Sequence, residues 1–243
     1  MKRKLVMLCV VSVVLVLAAY LVVNKSIVAK PPPGSWEYRF LNGIGCRAPC
    51  WENLTPGVSK QDALTRTLVS DGQFRLGQTR FSPSNSLLGA GGFDLHEVGS
   101  ASDRIGVITF EYPADGRVTA IILKSRYILE LGELIALLGQ PSDVVINVFP
   151  PYPGKVPPIP AWEVGMFFEQ ASTYVRARSN AFENLDVNAK LDIGEIVFLD
   201  VSWDHDTALA KMGVQKKFSA TPWRGYMPLS DYCHALGPQS WCP

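Results

Sequence analysis

The stretch from Leu5 to Val23, interrupted only by Ser12, narrows most sharply what this chain can be. Coiled as a helix, its nineteen residues reach about 28 Å, close to the roughly 30 Å hydrocarbon thickness of a bilayer. Lys2, Arg3 and Lys4 precede it. Basic residues flanking a span stay cytoplasmic, which places everything after Val23 outside. Residues 1–29 are therefore expected to be a cytoplasmic tip and an uncleaved anchor of a single-pass plasma-membrane protein. A cleaved signal peptide is the competing reading. Its apolar core is usually about 7–15 residues and is followed by a small-x-small site. Here Ala18-Ala19 lies inside the run, and Ile27-Val28-Ala29 carries a bulky residue where a small one is needed. Cys9 has large neighbours and reads as a small apolar residue within the helix.

The rest of the chain is close to neutral. Without the three leading cations, 20 of the 23 basic residues face 22 acidic ones, a balance of −2. No phosphate-neutralising stripe is left, so a nucleic-acid partner is not expected. An apolar fraction of 47% and an aromatic fraction of 10% exclude disorder as a description of the whole. Lys30-Pro31-Pro32-Pro33-Gly34-Ser35 reads as a stiff, extended spacer that lifts the domain off the surface. The expected divisions are residues 30–45 as spacer, 46–126 as a first module, and 127–243 as a second with a C-terminal disulfide tail.

Cysteine usage agrees with an oxidising compartment, because four of the five cysteines lie beyond the apolar run: Cys46, Cys50, Cys233 and Cys242. Local pairs, Cys46–Cys50 and Cys233–Cys242, are favoured because each is close in sequence and flanked by Gly or Pro. A cross-link from the start of the domain to its end is the alternative, and it would close a longer loop. A four-cysteine zinc site fits poorly, since eight residues separate the second pair.

Secondary-structure signals come in two similar cycles. Ser59-Lys60-Gln61-Asp62 resembles a capping box, Ala63, Leu64, Thr67 and Leu68 recur at helical spacing, and Asp71-Gly72 stops the helix. Strands are expected at Gln73–Phe81, Phe93–Val98, Arg104–Tyr112 and Arg117–Lys124, with Pro113-Ala114-Asp115-Gly116 turning a hairpin between the last two. Ser82 to Gly92 reads as loop, Gly89-Ala90-Gly91-Gly92 included, because no Lys-Ser/Thr follows to make it a phosphate cradle. The second cycle opens at Leu129. Leu131, Leu134, Ile135 and Leu138 share a helical face, and Gly139-Gln140-Pro141 ends it. Strands follow at Asp143–Phe149, Trp162–Gln170, Ser172–Ser179 and Glu195–Trp203, with a proline-rich segment at Pro150–Pro160 that cannot enter a sheet interior. The expected class is α+β: one membrane helix, then two modules of a helix and a four-stranded antiparallel sheet.

This order resembles the tandem modules of the β-lactamase-inhibitor-protein-like fold, shared with small lipoproteins of the outer-membrane assembly machinery. Gly57-Val58-Ser59 is similar to the helix start of such modules, and Leu138-Gly139-Gln140-Pro141 to their helix end. The resemblance spans residues 54–203 and implies sheet faces that present themselves to protein partners. Cys46-x3-Cys50-Trp51-x2-Leu54-x-Pro56-Gly57 is also similar to a pattern in membrane-anchored bacterial proteins, to which no activity attaches. Neither likeness carries over a binding residue.

Chemistry is sparse. His96, His205 and His234 are the histidines, and in Asp204-His205-Asp206 a histidine has an acidic residue on each side. Imidazole and carboxylate ligands suit a metal, so Asp204, His205 and Asp206 are the candidate ligands. The plainer reading is a cap on the helix that Thr207-Ala208-Leu209-Ala210-Lys211 would form. Asp204 with Asp206, or Glu195 with Asp200, are possible carboxylate pairs, which spacing alone does not make catalytic. There is no Gly-x-Ser-x-Gly elbow, and no catalytic residue or cofactor is assigned. Trp162 and Trp203 are expected in the core, and Trp223 in a C-terminal segment packed over the sheet. The expected function is a non-enzymatic binding module held outside the membrane for a protein partner. The alternative is an extracytoplasmic hydrolase, metal-assisted through Asp204, His205 and Asp206.

Overall fold

A computed structural model describes residues 30–60, 74–76, 91–97, 108–112, 116–149, 161–177, 186–212 and 220–235. The apolar run and the expected helix after Lys60 lie outside these residues, as do Pro150–Pro160 and Cys242. Among the described residues no helix is long and apolar enough to cross a membrane.

The class is α+β, with antiparallel strands and few helices. Chain order gives α1 (Trp36–Leu41), β1 (Phe74–Leu76), β2 (Gly91–Glu97), β3 (Ile108–Tyr112), β4 (Ala120–Glu130), α2 (Leu131–Leu138), β5 (Asp143–Phe149) and β6 (Ala161–Phe168). A 3-10 turn (Glu169–Ala171), β7 (Thr173–Ala177), β8 (Asp186–Val187), β9 (Asp192–Leu199), α3 (His205–Lys211), β10 (Ala220–Pro222), β11 (Met227–Pro228) and α4 (Leu229–Ala235) complete it. Nine strands form one sheet in the order β1-β2-β3-β4-β9-β7-β6-β5-β10, while β8 and β11 make a separate pair. Every neighbouring pair is antiparallel.

The run β1–β4 and the group β5, β6, β7 and β9 meet where β4 lies beside β9, from Ala120 opposite Leu199 to Lys124 opposite Glu195. The register then shifts, and Leu129 and Glu130 face Ile193 and Asp192. Sequence explains this central position. A strand covered on both faces reads as a continuous apolar run rather than an alternation. Ile121, Leu123, Ile196 and Phe198 point to one core, and Ala120, Ile122, Val197 and Leu199 to the other. At the β10 edge Pro222 occupies a position that an interior strand would not tolerate.

The first face is covered by α1, α2 and α4, whose Trp36, Phe40, Leu134 and Tyr232 join β-strand side chains in the larger core. The second is covered at one end by α3, through Ala208, Leu209 and the following Met212. Beyond α3 that face carries charge. Arg176 Nε lies 2.9 Å from Glu163 Oε1, its Nη1 2.5 Å from Glu195 Oε1, and Lys124 Nζ 3.8 Å from Glu195 Oε2. Burial works against the Arg176 charge, but Glu195 and Glu163 outweigh it and hold the guanidinium above its ordinary pKa. Burial likewise pushes the Tyr174 hydroxyl well above its ordinary range.

Several local expectations need correction. Residues 36–41, assigned to an extended spacer, form α1. Ser35 Oγ accepts the Tyr38 N–H at 3.2 Å as its cap, and the i, i+4 pair Trp36 and Phe40 is 1% and 8% exposed. The spacer's start is docked as well, with Lys30 Nζ 3.3 Å from Glu133 Oε1 on α2. Gly91 and Gly92, read as loop, open β2 opposite Tyr112 and Glu111. Ladder bonds need backbone only. Helix α2 starts at Leu131 rather than Leu129, and β9 stops at Leu199, leaving Trp203 in the following turn, half-buried beneath Lys211. The hairpin glycine behaves as expected: Gly116 has φ 73°.

On the second face Tyr174 lies over Gly165, where a Cβ would run into the phenol ring. Tyr174 is 1% exposed and has nowhere to swing. Gly165→Ala should therefore cost about 1–3 kcal/mol by overpacking. Urea unfolding checks this, with the midpoint falling and the slope unchanged.

Candidate functional site

Two clefts merit comparison, one on each face of the sheet. The first is built by the segment between α1 and residue 60. After α1, Ile44 N–H bonds back to Arg39 O at 2.9 Å, and Cys46 and Cys50 form the expected disulfide, with a cis Ala48-Pro49 bond between them. A tight turn follows. Trp51 N–H donates to Leu54 O at 2.9 Å and Leu54 N–H to Trp51 O at 2.8 Å. Its two central residues, Glu52 and Asn53, are left-handed at φ 47° and 63°. That is the geometry of a two-residue hairpin loop. Asn tolerates it, and Glu52 is held by Arg39 Nη2 at 2.8 Å. Trp51 and Leu54 anchor the turn in the core.

Gly57 locks the end of this segment. It has φ 82°, and a Cβ there would overlap the Asp200 carboxylate. Asp200 is buried and accepts both the N–H and the hydroxyl of Ser202, at 2.8 and 2.6 Å. Glycine is thus required at position 57 by contact geometry.

A groove of about 730 Å³ opens between this segment, α2 and the 3-10 turn. Phe40, Leu41, Ala48, Leu137, Leu138 and Ala171 give it apolar walls, and Asn42, Arg47 and Gln170 add polar groups. Cys46 lines it too. Leu137 is 37% exposed, and nearby Ile44 is 55% exposed. A neighbouring cleft shares Leu41, Asn42 and Ala136 and holds Lys30, Tyr38 and Glu133. The sequence singled out Cys46 and Cys50 but not the groove. Its walls come from elements some ninety residues apart, and only the packing of α1 on α2 brings them together.

The second cleft, about 510 Å³, gathers Ser142, Asp143, Glu169, Asp204, His205 and Asp206. Here the three predicted ligands have structural duties. Asp204 is the N-cap of α3, its Oδ1 accepting the Thr207 N–H at 2.7 Å. Hydrogen bonds from Thr207 hold its carboxyl below the ordinary 3.8. His205 Nε2 lies 2.6 Å from Asp143 Oδ2, and Nδ1 lies 3.0 Å from Asp206 Oδ1. The ring also packs edge-on against Phe167, with centroids 5.4 Å apart. His205 therefore pins α3 to the start of β5. No three His, Cys, Asp or Glu among the described residues are arranged to hold a metal ion. His234 is exposed on α4, and the side chain of His96, on β2, lies outside the described residues.

Other predicted residues are dispersed. Glu195 faces Arg176 in the charged row, and Asp200 serves the Ser202 turn, so the two do not form a carboxylate pair. Cys233 is disulfide-bonded and fully buried on α4; its mate lies outside the described residues. Trp223 stacks on Tyr232 at 6.1 Å and donates from Nε1 to Gln140 Oε1 at 2.8 Å, securing the C-terminal segment. The Trp162 side chain lies outside the described residues. Compared with known proteins, the chain matches no family model, no curated protein and no solved structure.

The Asp204 cap sets a pH test. Its folded pKa is depressed, so its contribution is present above the unfolded value and is lost as pH falls through the folded one. Asp204→Ala should lower the thermal midpoint at pH 7. The gap to the parent protein should narrow between pH 5 and pH 3, as followed by circular dichroism melts.

Proposed function

We propose that this protein is a non-enzymatic binding module held outside the plasma membrane by the Leu5–Val23 helix, and that its partner is a protein. In this reading the two helix-plus-four-strand cycles are tandem modules that share one sheet and are similar to the β-lactamase-inhibitor-protein-like fold. The observation that carries it is the groove between α1 and α2. It has apolar walls, a volume in the range of small-ligand and side-chain pockets, and exposed Leu137 in its lining. An apolar pocket rimmed by a few polar groups is suited to receive an anchoring side chain of a partner. A hydrolase working through Asp204, His205 and Asp206 would need these groups available to a substrate, whereas their bonds are those of a cap and a clamp.

Photo-crosslinking from the full chain in its own membranes tests the reading. A photoreactive residue at Leu137 should capture one discrete protein, and the same residue at Ala210, exposed on α3 across the sheet, should not. Leu137→Lys should weaken that partner's retention at least tenfold. Equal capture from both positions would contradict the assignment.

A further inference from the structure

We infer that the Cys46–Cys50 disulfide is an exchange site that reacts with a thiol presented in the groove. This rests on the groove as the contact surface, and it adds covalent chemistry to binding. The described disulfide-bonded cysteines differ in a way that bears on reactivity. Cys233 is fully buried on α4, among core side chains, and is inaccessible to an attacking thiolate. Cys46 and Cys50 are both partly exposed, and Cys46 lines the 730 Å³ groove. Access and the attacked sulfur's surroundings govern exchange, and Cys46 and Cys50 are reachable where the Cys233 sulfur is not.

The turn after Cys50 supplies a second element. With Glu52 and Asn53 both left-handed, the Asn53 N–H is aimed at Cys46 Sγ, 3.2 Å away. A hydrogen bond to sulfur favours its anionic form, so it assists the later step in which Cys46 departs, while access from the groove decides which sulfur is attacked first. Arg47, exposed between the two cysteines and part of the groove lining, adds positive charge where a thiolate would approach. The disulfide closes a loop of only a few residues, so the chain-entropy model assigns it less stabilisation than a long-range bridge. Opening it therefore leaves the core largely intact.

The chemistry balances without a further reagent. A thiolate of the partner attacks Cys46 Sγ, the Cys46–Cys50 bond breaks, and Cys50 leaves with the bonding pair and is protonated. The product is a mixed disulfide between Cys46 and the partner, plus one thiol. Where the partner carries a second thiol, its thiolate attacks the partner's own sulfur in the mixed disulfide. Cys46 then departs as the thiolate that Asn53 N–H stabilises. The partner is oxidised to a disulfide by two electrons, and the protein is reduced to a dithiol.

Reduced glutathione is a sufficient probe. The full chain in lipid nanodiscs is incubated with it near pH 8, quenched with an alkylating agent and mapped by peptide mass spectrometry. The expected result is glutathione on Cys46 and the alkyl group on Cys50, with Cys233 still disulfide-bonded and the circular dichroism unchanged. Arg47→Glu should slow adduct formation several-fold. Glutathione on Cys50 in preference to Cys46, or opening of Cys46–Cys50 only in step with Cys233 and loss of structure, would overturn the inference. Because glutathione needs no bound partner, a negative result with crosslinking at Leu137 intact would sink the exchange site and leave the binding reading standing.

Discussion

The pairing of β4 with β9 is the interaction on which the other features depend. It joins two four-stranded runs into one sheet and gives that sheet two faces, each with its own core. Ile121, Leu123, Ile196 and Phe198 are buried on one side and Ala120, Ile122, Val197 and Leu199 on the other. Fully burying such a side chain is worth about 1.5–3 kcal/mol. The seam is thus where burial is concentrated, and a slip of one residue would exchange the faces of every side chain on it.

From that seam the two faces acquire different characters. The first carries α1, α2 and α4, and Phe40 of α1 meets Phe198 of β9 with ring centroids 5.7 Å apart. This contact seats α1 beside α2, and the gap between them is the groove. The second face is half apolar beneath α3 and half charged, with Arg176 between Glu163 and Glu195. Removing one member of such a half-buried row strands the others, so the row fixes which residues neighbour one another more than it adds net stability. His205, bracketed by Asp143 and Asp206, belongs with this structural polar set.

Much of the sheet was legible in sequence because its strands carry their signals locally. Asp143–Phe149 is rich in β-branched residues, Asp115-Gly116 marks the hairpin between β3 and β4, and Gly139-Gln140-Pro141 stops α2 where the structure stops it. The Cys46–Cys50 pair was legible for the same reason. Helix α1 was not, because Pro31, Pro32 and Pro33 dominate its neighbourhood and the six-residue helix is too short to show a period. Its signals are the Ser35 cap and the pair Trp36 and Phe40. The strands β8, β10 and β11 have two or three residues each and exist through pairing with distant partners, not through propensity. The groove was illegible for a stronger reason: α1, the disulfide loop and α2 meet only once the sheet has formed. At Asp204-His205-Asp206 the cap was readable from the triplet, whereas the role of Asp143, 62 residues from His205, was not.

Native-state hydrogen exchange of the full chain tests the continuous sheet most directly. If β4 and β9 are its shared centre, the amides of Ile121–Leu123 and Ile196–Phe198 should be the slowest in the molecule and should exchange together, at the free energy of global unfolding. Fast exchange at these amides, with β1–β3 and β5–β7 protected as two independently opening units, would contradict the account.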